Sequence, residues 1–319
     1  MKMSKFIKST LILLVGGFLT KVLGMLIKII TTRIIGTETL GLYMLIMPTF
    51  NLFITLAQGG LPISVSKIVS ENKKDNKKIV FSSIFISICT TFFLMILLIF
   101  ISPLIAKFLH NDSLSFPIMC IGLTLPFISL SGIIRGYFFG KENMFPHVLS
   151  NNFEQVVRII LNIIFLPLLS NYEPRVSVTF LILSNVISET TSIIILYFFL
   201  PRKIKITKEM LKPEKIIIKD VLNISIPTTG SRIIGTIGYF LEPIVLTSFL
   251  LMNGYTTNYI TYEYGVLTGY VMPLLLLPSF FTMAISQATL PVISNGYANN
   301  KIPYVKKKIK QSLLLSFAI

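Results

Sequence analysis

Long apolar runs separated by short polar segments set the pattern of this chain. A bilayer core about 30 Å thick takes roughly 20 helical residues to cross, so runs of this length predict membrane-spanning helices. Eight complete spans are expected, over residues 9–35, 41–66, 79–106, 116–139, 146–169, 176–200, 221–250 and 263–294, with a ninth starting at residue 309. Lys2, Lys5 and Lys8 ahead of Thr10–Leu19 resemble a signal peptide. No small-x-small cleavage site follows, however, and apolar character resumes from Val22 to Ile35, so the segment is expected to remain as a span.

The connections test this count independently. Lys67, Lys73, Lys74, Lys77 and Lys78 follow the second span, Arg202, Lys203, Lys205, Lys208, Lys212, Lys215 and Lys219 the sixth, and Lys301, Lys306, Lys307, Lys308 and Lys310 the eighth. The odd-numbered connections hold almost no cations, with Lys107 after the third span and Arg175 after the fifth; the fourth connection has Arg135 and Lys141. Basic loops stay in the cytoplasm, which places the N-terminus and every even-numbered connection there.

Pro48-Thr49-Phe50 through Leu61-Pro62-Ile63-Ser64 in the second span is echoed by Pro278-Ser279-Phe280 through Leu290-Pro291-Val292 in the eighth. Both spans follow one that starts inside, so spans seven to nine read as a second copy of one to three, a parallel repeat of the transporter kind. The expected organisation is a lobe of six helices over residues 1–200, a cytoplasmic linker over 201–220 and a partial second lobe over 221–319. The second lobe is expected to be incomplete, ending a few residues into its ninth span.

Composition agrees with the pattern. The chain is 53% hydrophobic and only 13% charged, with a mean hydropathy of +0.78, too apolar for a soluble globule. Its net charge of +16 lies mostly in the loops, where it sets topology and does not call for nucleic acid. Cys89 and Cys120 fall inside apolar spans without metal-ligand spacing and are expected to be core thiols.

Against that background, ionisable residues inside spans stand out. A charge at a helix centre costs roughly 2.5 to 3.5 kcal/mol even on a lenient insertion scale, so it must line a wet cavity or meet a partner. Lys21, Gly24 and Lys28 share one helix face. Lys21, Arg158, Glu189 and Arg232 each lie about eleven to thirteen residues into their spans, close to the midplane at 1.5 Å per residue. The fifth span adds a polar face of Asn151, Gln155, Arg158 and Asn162 beside Glu154, the sixth has Asn185, Ser188, Glu189 and Ser192, and the second has Asn51, Thr55 and Gln58. These stripes predict a hydrophilic cavity lined by Lys21, Lys28, Arg232, Arg158, Glu154, Glu189, Gln155, Asn51 and Gln58. Glu154 and Arg158 also fit a self-neutralising pair that helps helices pack. Arg33 and Arg135, near the interfaces, are expected to snorkel.

Gly132, Gly136 and Gly140 predict close helix packing or a sliding surface. Pro62, Pro227, Pro243, Pro273 and Pro278 mark breaks suited to rocking helices. No catalytic constellation, metal-ligand cluster or cofactor motif is found. Gly136-x-x-x-Gly140-Lys141 is one residue short of a nucleotide-binding loop, and His110 and His147 are solitary.

Gly41-Leu42-Tyr43, Pro48, Gly60-Leu61-Pro62-Ile63-Ser64 and Ser66-Lys67-Ile68-Val69-Ser70-Glu71 resemble the second helix of the stage V sporulation protein B family. These are polysaccharide-transporter relatives in the superfamily that includes MATE exporters and lipid II flippases. Arg135-Gly136-Tyr137-Phe138, Glu154-Gln155 with Val157-Arg158, Phe240-Leu241-Glu242-Pro243, and Tyr264-Gly265 with Leu267-Thr268-Gly269, Pro273 and Leu277-Pro278 continue the series. The resemblance implies a MATE-like two-lobe parallel repeat in a bacterial plasma membrane, with a central cavity that alternates between faces. It implies as substrate an undecaprenyl-pyrophosphate-linked saccharide, with basic residues of the first helix, here Lys21 and Lys28, serving the cavity. Lysine offers a point charge where arginine would grip phosphate with two parallel hydrogen bonds.

Six basic residues in or at the edges of spans, Lys21, Lys28, Arg33, Arg135, Arg158 and Arg232, outnumber the acids Glu154, Glu189 and Glu242. An anionic substrate is therefore favoured, and the first expectation is a flippase for lipid-linked saccharides. A cation-coupled exporter using Glu154 or Glu189 would need an acidic cavity. A non-transporting membrane partner of cell-wall synthesis proteins would be indifferent to loss of the buried lysines.

Overall fold

The computed structural model describes residues 5–71, 75–141, 143–201, 214–276, 282 and 302–317. Among them the secondary structure is helical throughout: α1 (Lys5–Gln58), α2 (Leu61–Glu71), α3 (Asn76–Phe108), α4 (Ser115–Gly140), α5 (Phe145–Leu169), α6 (Pro174–Phe199), α7 (Lys215–Met252), α8 (Thr257–Val266), α9 (Met272–Leu275) and α10 (Ile302–Phe317).

A straight helix of 54 residues would measure about 80 Å, far more than a bilayer. Gly36 resolves the excess. Its backbone, at φ 75° and ψ 170°, leaves the helical region inside α1, a conformation open to glycine because it has no Cβ to clash. Packing partners show that the chain reverses there. Before Gly36, Gly16 meets Val148, Thr20 bonds Asn152 and Thr31 bonds Asn162, so this half runs parallel to α5. After it, Ala57 meets Ser129 and Gln58 meets Gly132. Pro62 and Ser66 of α2 then meet Gly136 and Gly140, so this half runs parallel to α4. Helices α4 and α5 form an antiparallel hairpin, and α1 therefore makes two opposed crossings, the first and second predicted spans.

The same register reasoning orders α7. Its start touches the start of α3, where Lys78 pairs with Glu214 at 3.2 Å. Its end touches the end of α3, where His110 Nε2 and Ser248 Oγ lie 3.2 Å apart. Helices α3 and α7 therefore run parallel, as odd-numbered spans should. The described helices long and apolar enough to cross a membrane make a multi-pass membrane protein.

The core lies between the second half of α1, α3, α4 and α6, where Leu45, Ile46, Leu98, Ile121, Leu125 and Ile182 are almost fully enclosed. The opposite faces are apolar and exposed, as Phe92, Phe93 and Phe100 on α3 show; this is the surface that lipid solvates. Cys89 belongs to it. It is exposed and only Cys120 is buried, a correction to the reading of both as core thiols, because one apolar run supplies the core face and the lipid face alike.

The glycines of α4 pack closely. A Cβ on Gly136 would stand 2.5 Å from the Pro62 carbonyl oxygen, and one on Gly140 would stand 2.6 Å from that of Ser66. Three further differences from the predicted spans have local causes. Gly59 and Gly60 both take positive φ, so the second span breaks before α2. A π-helical turn at Leu267–Val271 interrupts the eighth. Helix α10 starts at Ile302, ahead of residue 309, and its lysines are helical. Most of the linker and the echo motifs Pro278-Ser279-Phe280 and Leu290-Pro291-Val292 lie outside the described residues.

Candidate functional site

The polar faces of the fifth and sixth spans meet at a junction of α4, α5 and α6. Arg158 Nη2 donates to Glu154 Oε1 at 2.8 Å, one helical turn apart on α5. Arg135 Nη2 on α4 donates to Glu154 Oε2 at 2.9 Å and to Ser192 Oγ on α6 at 2.7 Å, and lies 3.5 Å from Glu189 Oε2. Ser188 accepts from Arg158 at 3.4 Å. The acids are the more enclosed partners, their side chains 8% and 7% exposed against 15% for Arg135 and 21% for Arg158. Two cations and two anions cancel, which is how such groups persist in apolar surroundings.

Arg135 is not at an interface snorkelling into water. It is the hub of this network, a correction to its predicted place. The signal was available in the hairpin: Arg135 lies shortly before the α4–α5 connection and Glu154 shortly after it, so antiparallel packing brings them to one depth. Asn162 extends the polar face by donating to Thr31 Oγ1 at 2.9 Å. Asn185 instead bonds the carbonyls of its own helix.

Of the nine predicted site residues, the structure brings Glu154, Arg158 and Glu189 together. Gln155 lies beside them on α5, half-buried. Lys21 on α1 and Arg232 on α7 are exposed, Lys28 is half-buried, and among the described residues none of the three has a carboxylate partner. Lys28 Nζ reaches the Thr268 carbonyl at 3.5 Å, inside the π-turn that follows α8. Asn51 is exposed on the second half of α1, and half-buried Gln58 packs on Gly132. Among the described residues no cluster of histidine, cysteine or carboxylate side chains could hold a metal.

Where α1 and α8 cross, Gly265 approaches Gly41 so closely that a Cβ on it would stand 2.7 Å from the Gly41 Cα. Thr37 and Tyr270 hydroxyls lie 3.5 Å apart beside the crossing. The part of the chain after the linker thus closes on the first six spans at the end of the molecule that carries Glu38 and Glu263.

Comparison with known proteins gives this geometry its context. Residues 6–296 match the family described as polysaccharide biosynthesis protein. Stage V sporulation protein B of Bacillus subtilis (strain 168) is 37% identical over 97% of this chain and 62% of its own length. Lipid II flippase MurJ of the same organism is 22% identical over 97% of this chain and 61% of its own. The chain therefore spans about three fifths of the length of these relatives. Among solved structures, the inward-facing conformation of a multidrug resistance MATE family transporter of the MOP superfamily superposes with a TM-score of 0.72 at 16% identity, covering 93% of this chain and 67% of that one. A MOP superfamily transporter from Pyrococcus furiosus Vc1 (DSM3638), described by a reverse polarity of its binding pocket, gives a TM-score of 0.65 at 17% identity over 98% of this chain and 69% of that one. At such identities these structures speak for the fold alone, which is the all-α, MATE-like two-lobe arrangement. A family match over most of its length, carried on that fold, makes this chain a member of the polysaccharide biosynthesis protein family.

Proposed function

We propose that the chain belongs to a flippase that moves an anionic, lipid-linked saccharide across a bacterial plasma membrane by alternating access. The observation that carries this reading is the charge left over within the spans. Arg135 and Arg158 are matched by Glu154 and Glu189, so Lys21, Lys28, Arg33 and Arg232 remain against Glu242. A pyrophosphate brought into a site of low dielectric gains from each nearby cation, whereas a cation facing lipid only costs insertion energy. Lys21, Lys28 and Arg232 are the residues proposed to meet the substrate, with Asn51, Gln58 and Gln155 as neutral hydrogen-bonding partners. The family and the flippase among the relatives support this reading, and undecaprenyl-pyrophosphate-linked sugar is the proposed substrate. Exchange of a cationic substrate against protons or sodium fits less well, because both buried acids already face arginine.

In this reading residues 1–200 and 221–319 belong to two lobes joined by the segment 201–220, and the N-terminus is cytoplasmic. The two ends of the described structure support the orientation. Lys67, Lys77, Lys78, Lys141, Lys215 and Lys219 lie at one, against Lys107 and Arg175 at the other. In a background lacking Cys89 and Cys120, a cysteine at Asn76 is expected to resist an impermeant thiol reagent in intact cells, and one at Asn253 to react; the reverse would invert the map.

The function is tested by reconstituting the protein in vesicles and following a labelled polyprenyl-pyrophosphate saccharide from one leaflet to the other. Lys21→Gln and Arg232→Gln are expected to lose translocation at normal membrane abundance. Full translocation by both would refute the cationic mechanism and leave the scaffold reading, in which the protein recruits cell-wall synthesis proteins.

A further inference from the structure

Away from the charged junction, a cavity of about 330 Å3 opens between α3, α7 and the break between α1 and α2, lined by Ala57, Leu61, Ile86, Leu222, Ile226 and Ile233 among others. Gly59 and Gly60, at φ 49° and 64°, make that break, and α7 presses on it: Ser225 donates to the Gly59 carbonyl, and a Cβ on Gly60 would stand 2.9 Å from the Ser225 carbonyl oxygen.

Thr90, Ser225 and Thr229 also line the cavity, but each spends its hydroxyl proton within the protein. Thr90 donates to the Ile86 carbonyl at 2.9 Å, Thr229 to that of Ser225 at 2.7 Å, and Ser225 to Gly59. The surface left for an occupant is mostly hydrocarbon. A roomy, apolar cavity holds no water by preference because water would find too few partners there. The mouth faces outward, where Ile226 is 65% exposed. Counted from the predicted span starts at residues 221 and 79, the lining runs from about 8 Å at Ile226 to about 18 Å at Ile233 along α7 and from about 10 Å at Ile86 to about 16 Å at Thr90 along α3, within the hydrocarbon. Seven residues after Ser225, Arg232 returns to within about 20° of the same helix face. A cation without a carboxylate partner therefore borders the apolar wall.

We infer that this crevice seats the polyprenyl chain of the substrate's carrier lipid, with Arg232 at its edge meeting the pyrophosphate. The inference rests on the flippase reading and adds where the tail lies while the head group moves. An apolar wall beside an exposed guanidinium is complementary to one class of molecule, a long hydrocarbon with an anionic head. A tail held between α7 and the α1–α2 break would touch both proposed lobes.

The test places a photo-crosslinking amino acid at Ile226 in the full chain, reconstituted with phosphatidylglycerol, phosphatidylethanolamine and a polyprenyl pyrophosphate. Cross-linking to the polyprenyl chain is expected, reduced at least about tenfold by excess unlabelled polyprenyl pyrophosphate. The uncharged polyprenol should compete less well, and the difference between the two competitors should vanish in Arg232→Gln. A second variant, Gly230→Leu, fills the crevice; a Cβ at Gly230 meets no neighbouring atom within 4 Å, so the fold should tolerate it. It is expected to lose both the cross-link and translocation at normal abundance. Cross-links to phospholipid acyl chains alone, no cross-link to lipid, or a Gly230→Leu protein that translocates normally would each overturn the inference. These outcomes are separable from failure of the flippase reading, in which unsubstituted protein translocates nothing although Ile226 still captures the polyprenyl chain.

Discussion

At the junction of α4, α5 and α6 two arginines and two glutamates are folded against one another, their carboxylates nearly enclosed. On α1 and α7, Lys21 and Arg232 are exposed with no carboxylate partner among the described residues. Similar cations thus stand in spans of similar hydropathy with opposite fates. Pairing offsets the burial cost of the first group; lack of a partner makes the second group costly to insert, and in the proposed mechanism available to an anion. A tally of charges in spans cannot separate the two groups, because the separation depends on which helices touch.

The most damaging way to break this contrast is Glu154→Gln. An amide of nearly the same size leaves both Arg135 and Arg158 without their shortest carboxylate contact, and removing one member of a buried charge pair costs about 3 to 5 kcal/mol. A large loss of folded protein after heating in detergent is expected, read by size exclusion. Glu154→Gln combined with Arg158→Gln should recover part of that loss. Equal stability of Glu154→Gln and the unsubstituted protein would show that the network holds nothing.

Next in size is Gly136→Ala, whose Cβ would meet the Pro62 carbonyl at 2.5 Å. Overpacking of this kind costs about 1 to 3 kcal/mol. Gly230→Ala, where the space is open, is the control and should unfold with the unsubstituted protein. If both glycines tolerate alanine alike, the α2–α4 contact slides and is not fixed.

Lys21→Gln sharpens the other side of the comparison. Stability should be unchanged, whereas translocation of a labelled polyprenyl-pyrophosphate saccharide should fall at least about tenfold, a barrier change near 1.4 kcal/mol. Smallest of all is Arg33→Gln. Its side chain is exposed close to the Gly36 reversal, where it can reach the interface, and less than a twofold change in translocation is expected. A loss as large as that of Lys21→Gln would move Arg33 into the cavity.

Much of the architecture could be read before any contact was known. The predicted spans 79–106, 116–139, 146–169 and 176–200 match α3 to α6 within a few residues, because the bilayer makes hydropathy nearly sufficient to find a helix. The reversal at Gly36 falls in the predicted connection between residues 35 and 41, whereas the break at Gly59 and Gly60 lies inside the predicted span 41–66 and was harder to read. A glycine in an apolar run is equally compatible with a continued helix and with a break, and only the partners on either side decide between them. Of the candidate site residues, Glu154 and Arg158 were legible as a pair from their spacing of four. Arg135 was misplaced because its nearness to the end of its span suggested an interface, although the same nearness to the α4–α5 connection sets it opposite Glu154.

By itself, then, the sequence determined where the spans of α3 to α6 lie and how they alternate in direction, because the cost of apolar surface in water and of charge in lipid acts on each residue separately. It also determined that cations exceed acids within the predicted spans. The tertiary structure alone decided that Arg135 and Glu189 join the Glu154–Arg158 pair, which glycines break a span or carry a close crossing, and where an apolar crevice lies beside a cation. Each of these is a relation between helices distant in sequence, fixed by packing and not by the local preference of any segment.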